Sequence, residues 1–285
     1  MAIPHSDPAL RTGIGAACVH DPALVGGVAV ALMLGTYGLF GVPVDLPLVV
    51  AGFCGTTLTY LFDRVWADPP EDRVNRPARV AWVRAHPRWL AAEAGLLFAL
   101  GGAMGLYLAP TTLVWVGALG MVAGLHVVRQ GQGGLGGMPK PVVLAGAWAV
   151  GGALLPLVDA GRPLGLEALL FCGYRGGFIL PNLLLADWAD RKGDAAAGLT
   201  PWAVGWTARQ VRWTATASLL LAAAAAGGWG ALGAPLLLVV LDAVGLLLMA
   251  GVVWGLEPTQ PRTLLLADLV VAWPLVPAVV AWMSL

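Results

Sequence analysis

Ala186-Asp187-Trp188-Ala189-Asp190-Arg191-Lys192-Gly193-Asp194-Ala195-Ala196-Ala197-Gly198 closes one of the long apolar segments of this chain. It has an earlier counterpart in Tyr60-Leu61-Phe62-Asp63-Arg64-Val65-Trp66-Ala67-Asp68-Pro69-Pro70-Glu71-Asp72-Arg73-Val74-Asn75-Arg76-Pro77. Together the two stretches hold seven of the 16 acidic residues. Carboxylates gathered at a membrane surface repel one another unless they share a cation. The pattern therefore points to a divalent metal and, behind it, a phosphorylated substrate.

The rest of the chain is greasy. With 59% hydrophobic and 11% charged residues, it lies far from soluble globular composition. Apolar runs of membrane-crossing length recur along it, so the expected class is an all-α, polytopic helical bundle in the membrane. The runs predict nine helices over 22–42, 45–63, 90–109, 111–128, 141–159, 164–186, 211–231, 234–255 and 264–284. Residues 1–21 are expected to form a surface segment and 22–285 a single transmembrane domain. A β-barrel is excluded because its strands would alternate over about ten residues.

Lys and Arg decide the expected orientation. With a cytoplasmic N-terminus, the loops after helices 2, 4, 6 and 8 hold nearly all of them, and the opposite side holds Arg162. Both acidic stretches then face the cytoplasm from the cell membrane. Basic and acidic residues balance at 16 each, and no nucleic-acid partner is expected. Cys18, Cys54 and Cys172 show neither zinc spacing nor a disulfide framework.

Asp68 and Asp72 stand four apart, as do Asp190 and Asp194, each pair following a predicted helix. This hints at a duplicated helix and acidic-loop unit. On a helix, Asp187, Asp190 and Asp194 would form one acidic stripe. Arg175, Asp242 and Asp268 lie inside apolar segments, where charge is costly; Arg175 is expected to pair with Asp242 or Asp268. Asn182 is placed to point towards the acidic site. Trp89 and Trp202 read as interfacial anchors. The glycine-rich Gly131–Gly137 stretch reads as a flexible loop, a candidate lid, and lacks the Lys-Ser/Thr of a phosphate loop.

These residues resemble the UbiA superfamily of intramembrane prenyltransferases, which has nine helices and aspartate-rich motifs after helices 2 and 6. Asp187, Asp190, Asp194 and Gly198 match its second motif, with Ala186 where Asn often stands. Asp68, Asp72 and Asn75-Arg76-Pro77 match the end of the first, and Asp63 stands near its usual opening. Gly136-Gly137-Met138-Pro139-Lys140 and Ala147-Trp148 resemble the loop after helix 4. The resemblance implies transfer of a polyprenyl group from an allylic prenyl diphosphate to an aromatic, small or lipid acceptor. Mg2+ would be bound by Asp63, Asp68, Asp72, Asp187, Asp190 and Asp194.

Under that reaction Arg76 and Lys140 are the main candidates for diphosphate contact, followed by Arg191 and Lys192. Tyr60 and Tyr174 are candidate cavity residues beside the prenyl chain. The same pattern leaves open a membrane terpene cyclase or prenyl diphosphate lyase, and a non-catalytic lipid-binding protein.

Overall fold

The computed structural model describes residues 20–65, 70–128, 140–198 and 202–284, with backbone alone for 126–128. Every regular element among them is helical. We label nine long segments: α1 Ala23–Phe40, α2 Leu46–Val65, α3 Pro87–Gly105, α4 Pro110–Val128, α5 Lys140–Asp159, α6 Leu166–Ala196, α7 Ala208–Ala231, α8 Leu236–Gly255 and α9 Pro261–Met283. Two short helices, Asp72–Asn75 and Pro77–Ala85, link α2 to α3. Six segments (α1, α2, α5, α6, α8 and α9) are long and apolar enough to cross a membrane.

α6 departs most from the sequence reading. It was expected to stop at 186 with the acidic residues in a following loop, yet it runs unbroken to Ala196. No proline intervenes between Ala186 and Gly198, which takes a left-handed φ of 76°. A helix of 31 residues is about 46 Å long, more than a hydrocarbon layer of about 30 Å, so its last turns project beyond it. The second acidic stretch is thus a rigid helical stripe.

Two prolines inside the spans are compensated by hydroxyls. Pro181 lacks the N–H that would satisfy the Gly177 carbonyl, and the Ser218 hydroxyl of α7 donates to that carbonyl at 2.8 Å. Pro156 likewise frees the Gly152 carbonyl at a π-helical turn over Val150–Leu154, and the Thr36 hydroxyl of α1 donates to it at 2.6 Å. In a membrane interior such replacement is required, because water is not there to do it. These bonds also tie α6 to α7 and α5 to α1.

Small residues set the closest helix approaches. Gly35 and Gly38 of α1 face Pro274 and Ala278 of α9 so tightly that an added Cβ would come within 2.5–2.6 Å of them. Deep in the bundle, Arg175 of α6 pairs with Asp242 of α8 at 2.9 Å, and both residues are 1% exposed. The guanidinium carbon also lies 4.7 Å from the Phe171 ring centroid and 5.0 Å from that of Tyr174. Of the two partners the sequence offered Arg175, Asp242 is the one it takes.

Candidate active site

Behind Asp63, at the end of α2, the chain turns through the short helix Asp72–Asn75. That helix is pressed against the last turns of α6. Asn75 makes the join: its Nδ2 donates to the Asp190 carbonyl at 2.6 Å, and its Oδ1 accepts from the Gly193 N–H at 2.8 Å. Any side chain at 193 would overlap Asn75 and come within 2.5 Å of the Glu71 carbonyl. A glycine inside a helix is unfavourable by roughly 1 kcal/mol relative to alanine, and this close approach is the physical reason for it.

Basic side chains answer the carboxylates. Arg76 reaches Asp190 Oδ1 through Nη2 at 2.8 Å and through Nε at 3.0 Å. Arg79 pairs with Asp72, which is 8% exposed. At the start of α5, Lys140 Nζ lies 3.9 Å from Asp187 Oδ1, and Trp202 Nε1 donates to Asp187 Oδ2 at 3.1 Å. Asp63 and Asp194 lie within electrostatic reach of Lys140. The join therefore gathers side chains from the ends of α2, α5 and α6.

The remaining expectations divide. Arg191 turns back on its own helix, stacking 3.5 Å from the Trp188 ring centroid and donating to the Trp188 carbonyl at 2.6 Å. Lys192 is exposed to solvent. Tyr60 lies below the acids on α2, its ring 6.4 Å from that of Trp148 and 5.8 Å from the Arg64 guanidinium carbon. Tyr174 is packed in the core beside Arg175 with 1% exposure, about 20 Å along α6 from Asp187. Its place is in the buried polar pair rather than beside the acids. Asn182 donates to Asp268 Oδ1 of α9 at 2.8 Å. Asp68 and the Gly131–Gly137 stretch lie outside the described residues.

Three participants escaped the sequence reading. Arg79 is one of several arginines in the loop after the second predicted helix, and the register of the Asp72–Asn75 turn is what brings it to Asp72. Trp202, expected as an interfacial anchor, is a hydrogen-bond donor to Asp187. Asn75 belongs to the Asn75-Arg76-Pro77 motif, but its bonding to α6 has no signal in spacing; Gly193, inside the helix, is the available clue. Nearby, Arg64 donates to the His20 carbonyl at 2.8 Å. Burial, with Arg64 and Arg79 close by, lowers the pKa of the His20 imidazole.

Among the described residues, no three His, Cys, Asp or Glu side chains converge as a ready-made metal cage. The acidic oxygens are nonetheless the donors magnesium takes, and it is commonly held by one or two carboxylates while substrate phosphate and water complete its shell. Asp63, Asp187, Asp190 and Asp194 offer oxygen donors of that kind.

No protein-family model matches the sequence, and no curated protein does. Solved structures do. A UbiA homologue from Aeropyrum pernix K1 superposes with a TM-score of 0.66 at 16% identity, covering 93% of this chain and 98% of its own. This chain has the UbiA fold. A digeranylgeranylglyceryl phosphate synthase structure superposes with a TM-score of 0.60 at 15% identity, covering 97% of this chain and 98% of its own. In the UbiA fold described here, the two acidic stretches meet at one end of the bundle, where α2 and α6 end.

Proposed function

We propose that this UbiA-fold protein is an intramembrane prenyltransferase, moving a polyprenyl group from an allylic prenyl diphosphate to a small or lipid acceptor. Residues 22–285 act as one transferase domain, with the reacting end on the cytoplasmic side, as the Lys and Arg distribution favours. One observation carries the reading: the Asn75 clamp holds two acidic segments against each other, with Arg76 and Lys140 set among their carboxylates.

The resting ion pairs prepare an exchange of partners. Without substrate, Arg76 neutralises Asp190 and Lys140 faces Asp187. When a diphosphate arrives, both cations can turn to its oxygens, Arg76 by paired hydrogen bonds and Lys140 as a point charge. The released carboxylates Asp187, Asp190 and Asp194, with Asp63, Asp68 and Asp72, would hold Mg2+. The metal supplies charge neutralisation of the diphosphate as it leaves. As the C–O bond breaks, negative charge grows on the phosphate, and Arg76 and Lys140 bind it more strongly there than in the ground state. Tyr60 and Trp148 offer ring faces below the acids, towards the membrane, where the allylic cation forms.

The test is magnesium-dependent diphosphate release by the purified protein with allylic donors of several lengths, with and without membrane-lipid extract. The expected result is release coupled to a prenylated product, abolished in Asp190→Ala and Asp72→Ala while both variants stay folded. Full turnover in both variants would overturn the reading. Release yielding a rearranged hydrocarbon without acceptor would assign a cyclase or lyase instead.

A further inference from the structure

Asp268 is an acid inside an apolar span that the ion pairs above do not use. It sits in α9, partly accessible, and its Oδ1 accepts a hydrogen bond from Asn182 at 2.8 Å. Among the described residues it forms no ion pair. Asn182 belongs to α6, about 7 Å along the helix from Asp187 towards the membrane interior. Tyr60 of α2 lies within electrostatic reach of Asp268, and so do Arg64 and Arg76. Arg76 is the side chain that binds Asp190. Asp268 thus lies beneath the acidic cluster, where α9 packs against α6.

A carboxylate bonded there only by a neutral amide, with Arg64 and Arg76 reaching it through space, is costly to maintain, and an intramembrane acid outside any ion pair calls for a functional account. Its unbonded oxygen, Oδ2, is a strong acceptor in a low-dielectric setting. It would repel an anionic acceptor group and favour a donor. We propose that Asp268 is the base that deprotonates the acceptor, and that the acceptor is a membrane-soluble molecule presenting a neutral hydroxyl. This rests on the transferase reading above.

The step balances. The prenyl C1–O bond breaks and its electron pair leaves with the diphosphate oxygen. A lone pair of the acceptor hydroxyl oxygen forms the new bond to C1. The hydroxyl proton passes to Asp268 Oδ2, and Asn182 keeps the carboxylate turned towards the acceptor. The carboxylate also favours the allylic cation before capture, since it is a fixed negative charge facing a developing positive one.

The experiment uses full-length protein with geranylgeranyl diphosphate as donor and, separately, 1-naphthol and 1-decanol as acceptor probes. Diphosphate release and prenylated probe are measured together for wild type, Asp268→Asn, Asp268→Glu and Asp190→Ala. In Asp268→Asn the ratio of prenylated probe to released diphosphate should fall about 100-fold, with water capturing the cation and geranylgeraniol making up the balance. Asp268→Glu should restore part of the ratio, and Asp190→Ala should lose both signals. Asp268→Ser, run in parallel, reads the same ratio should Asp268→Asn not be recovered folded.

A wild-type ratio in the folded Asp268→Asn or Asp268→Ser protein would overturn the proposal. Loss of release in proportion to transfer would overturn it too, placing Asp268 in ionisation of the donor. Wild-type release without transfer to either probe would refute the hydroxyl acceptor. No wild-type release at all would bring down the transferase reading, and this one with it.

Discussion

Asp242 and Asp268 are both aspartates within apolar helices, and the bundle treats them in opposite ways. Asp242 is sealed at 1% exposure against the Arg175 guanidinium, with aromatic rings on the cation's other faces. Asp268 stays partly accessible and meets a neutral amide. A charge whose work is to hold helices together is matched and closed off from substrate. A charge outside any ion pair keeps acceptor capacity for something that is not part of the chain. The same residue type is thus tied into an ion pair in the inner core between α6 and α8, and kept out of ion pairing where α6 meets α9, as the proposed base requires.

The sharpest way to break this contrast is to remove Arg175. Arg175→Leu strands Asp242 in the core and should destabilise the purified protein by about 3–5 kcal/mol, read as a large fall in melting temperature. Arg175→Leu with Asp242→Leu should recover most of that, since an unpaired charge is what hurts. If the single variant melts like wild type, the pair is not the structural element described here.

Next comes the clamp on the acidic end. Gly193→Ala forces Asn75 away from α6 and should lower transferase activity about 100-fold, or about 2.7 kcal/mol, with little change in melting temperature. Undiminished turnover would show that the register of the two acidic segments is not set by Asn75. Ser218→Ala leaves the Gly177 carbonyl without its donor and should destabilise by about 1 kcal/mol, with activity changing less than in Gly193→Ala. The smallest expected effect is on the stability of Asp268→Asn, within about 0.5 kcal/mol, because no ion pair is lost. A melting temperature as depressed as that of Arg175→Leu would erase the distinction between the two aspartates.

Some of the site was legible before any coordinates. The acidic spacing around Asp187, Asp190 and Asp194, the neighbouring Arg76 and the intramembrane charges stand out because charge is rare in so apolar a chain. The extent of α6 was not legible. Hydropathy falls at Ala186 and reads as a helix end, while the backbone continues to Ala196 because no proline interrupts it there. Nor was the division of cations among carboxylates: Arg76 with Asp190 and Arg79 with Asp72 are contacts between segments more than a hundred residues apart in one case and within one turn-rich stretch in the other.

Sequence alone determined that the chain is a bundle of apolar helices, roughly where each helix lies, and that its acids gather in two places. Those are properties of composition and periodicity, which act locally along the chain. Tertiary structure alone decided that Arg175 takes Asp242 while Asp268 takes Asn182, that Pro181 and Pro156 are each answered by a hydroxyl from another helix, and that Asn75 locks onto Gly193. Each depends on which helix faces hold which neighbours. That choice comes from packing the whole bundle, where small residues let helices approach and every buried polar group must find a partner.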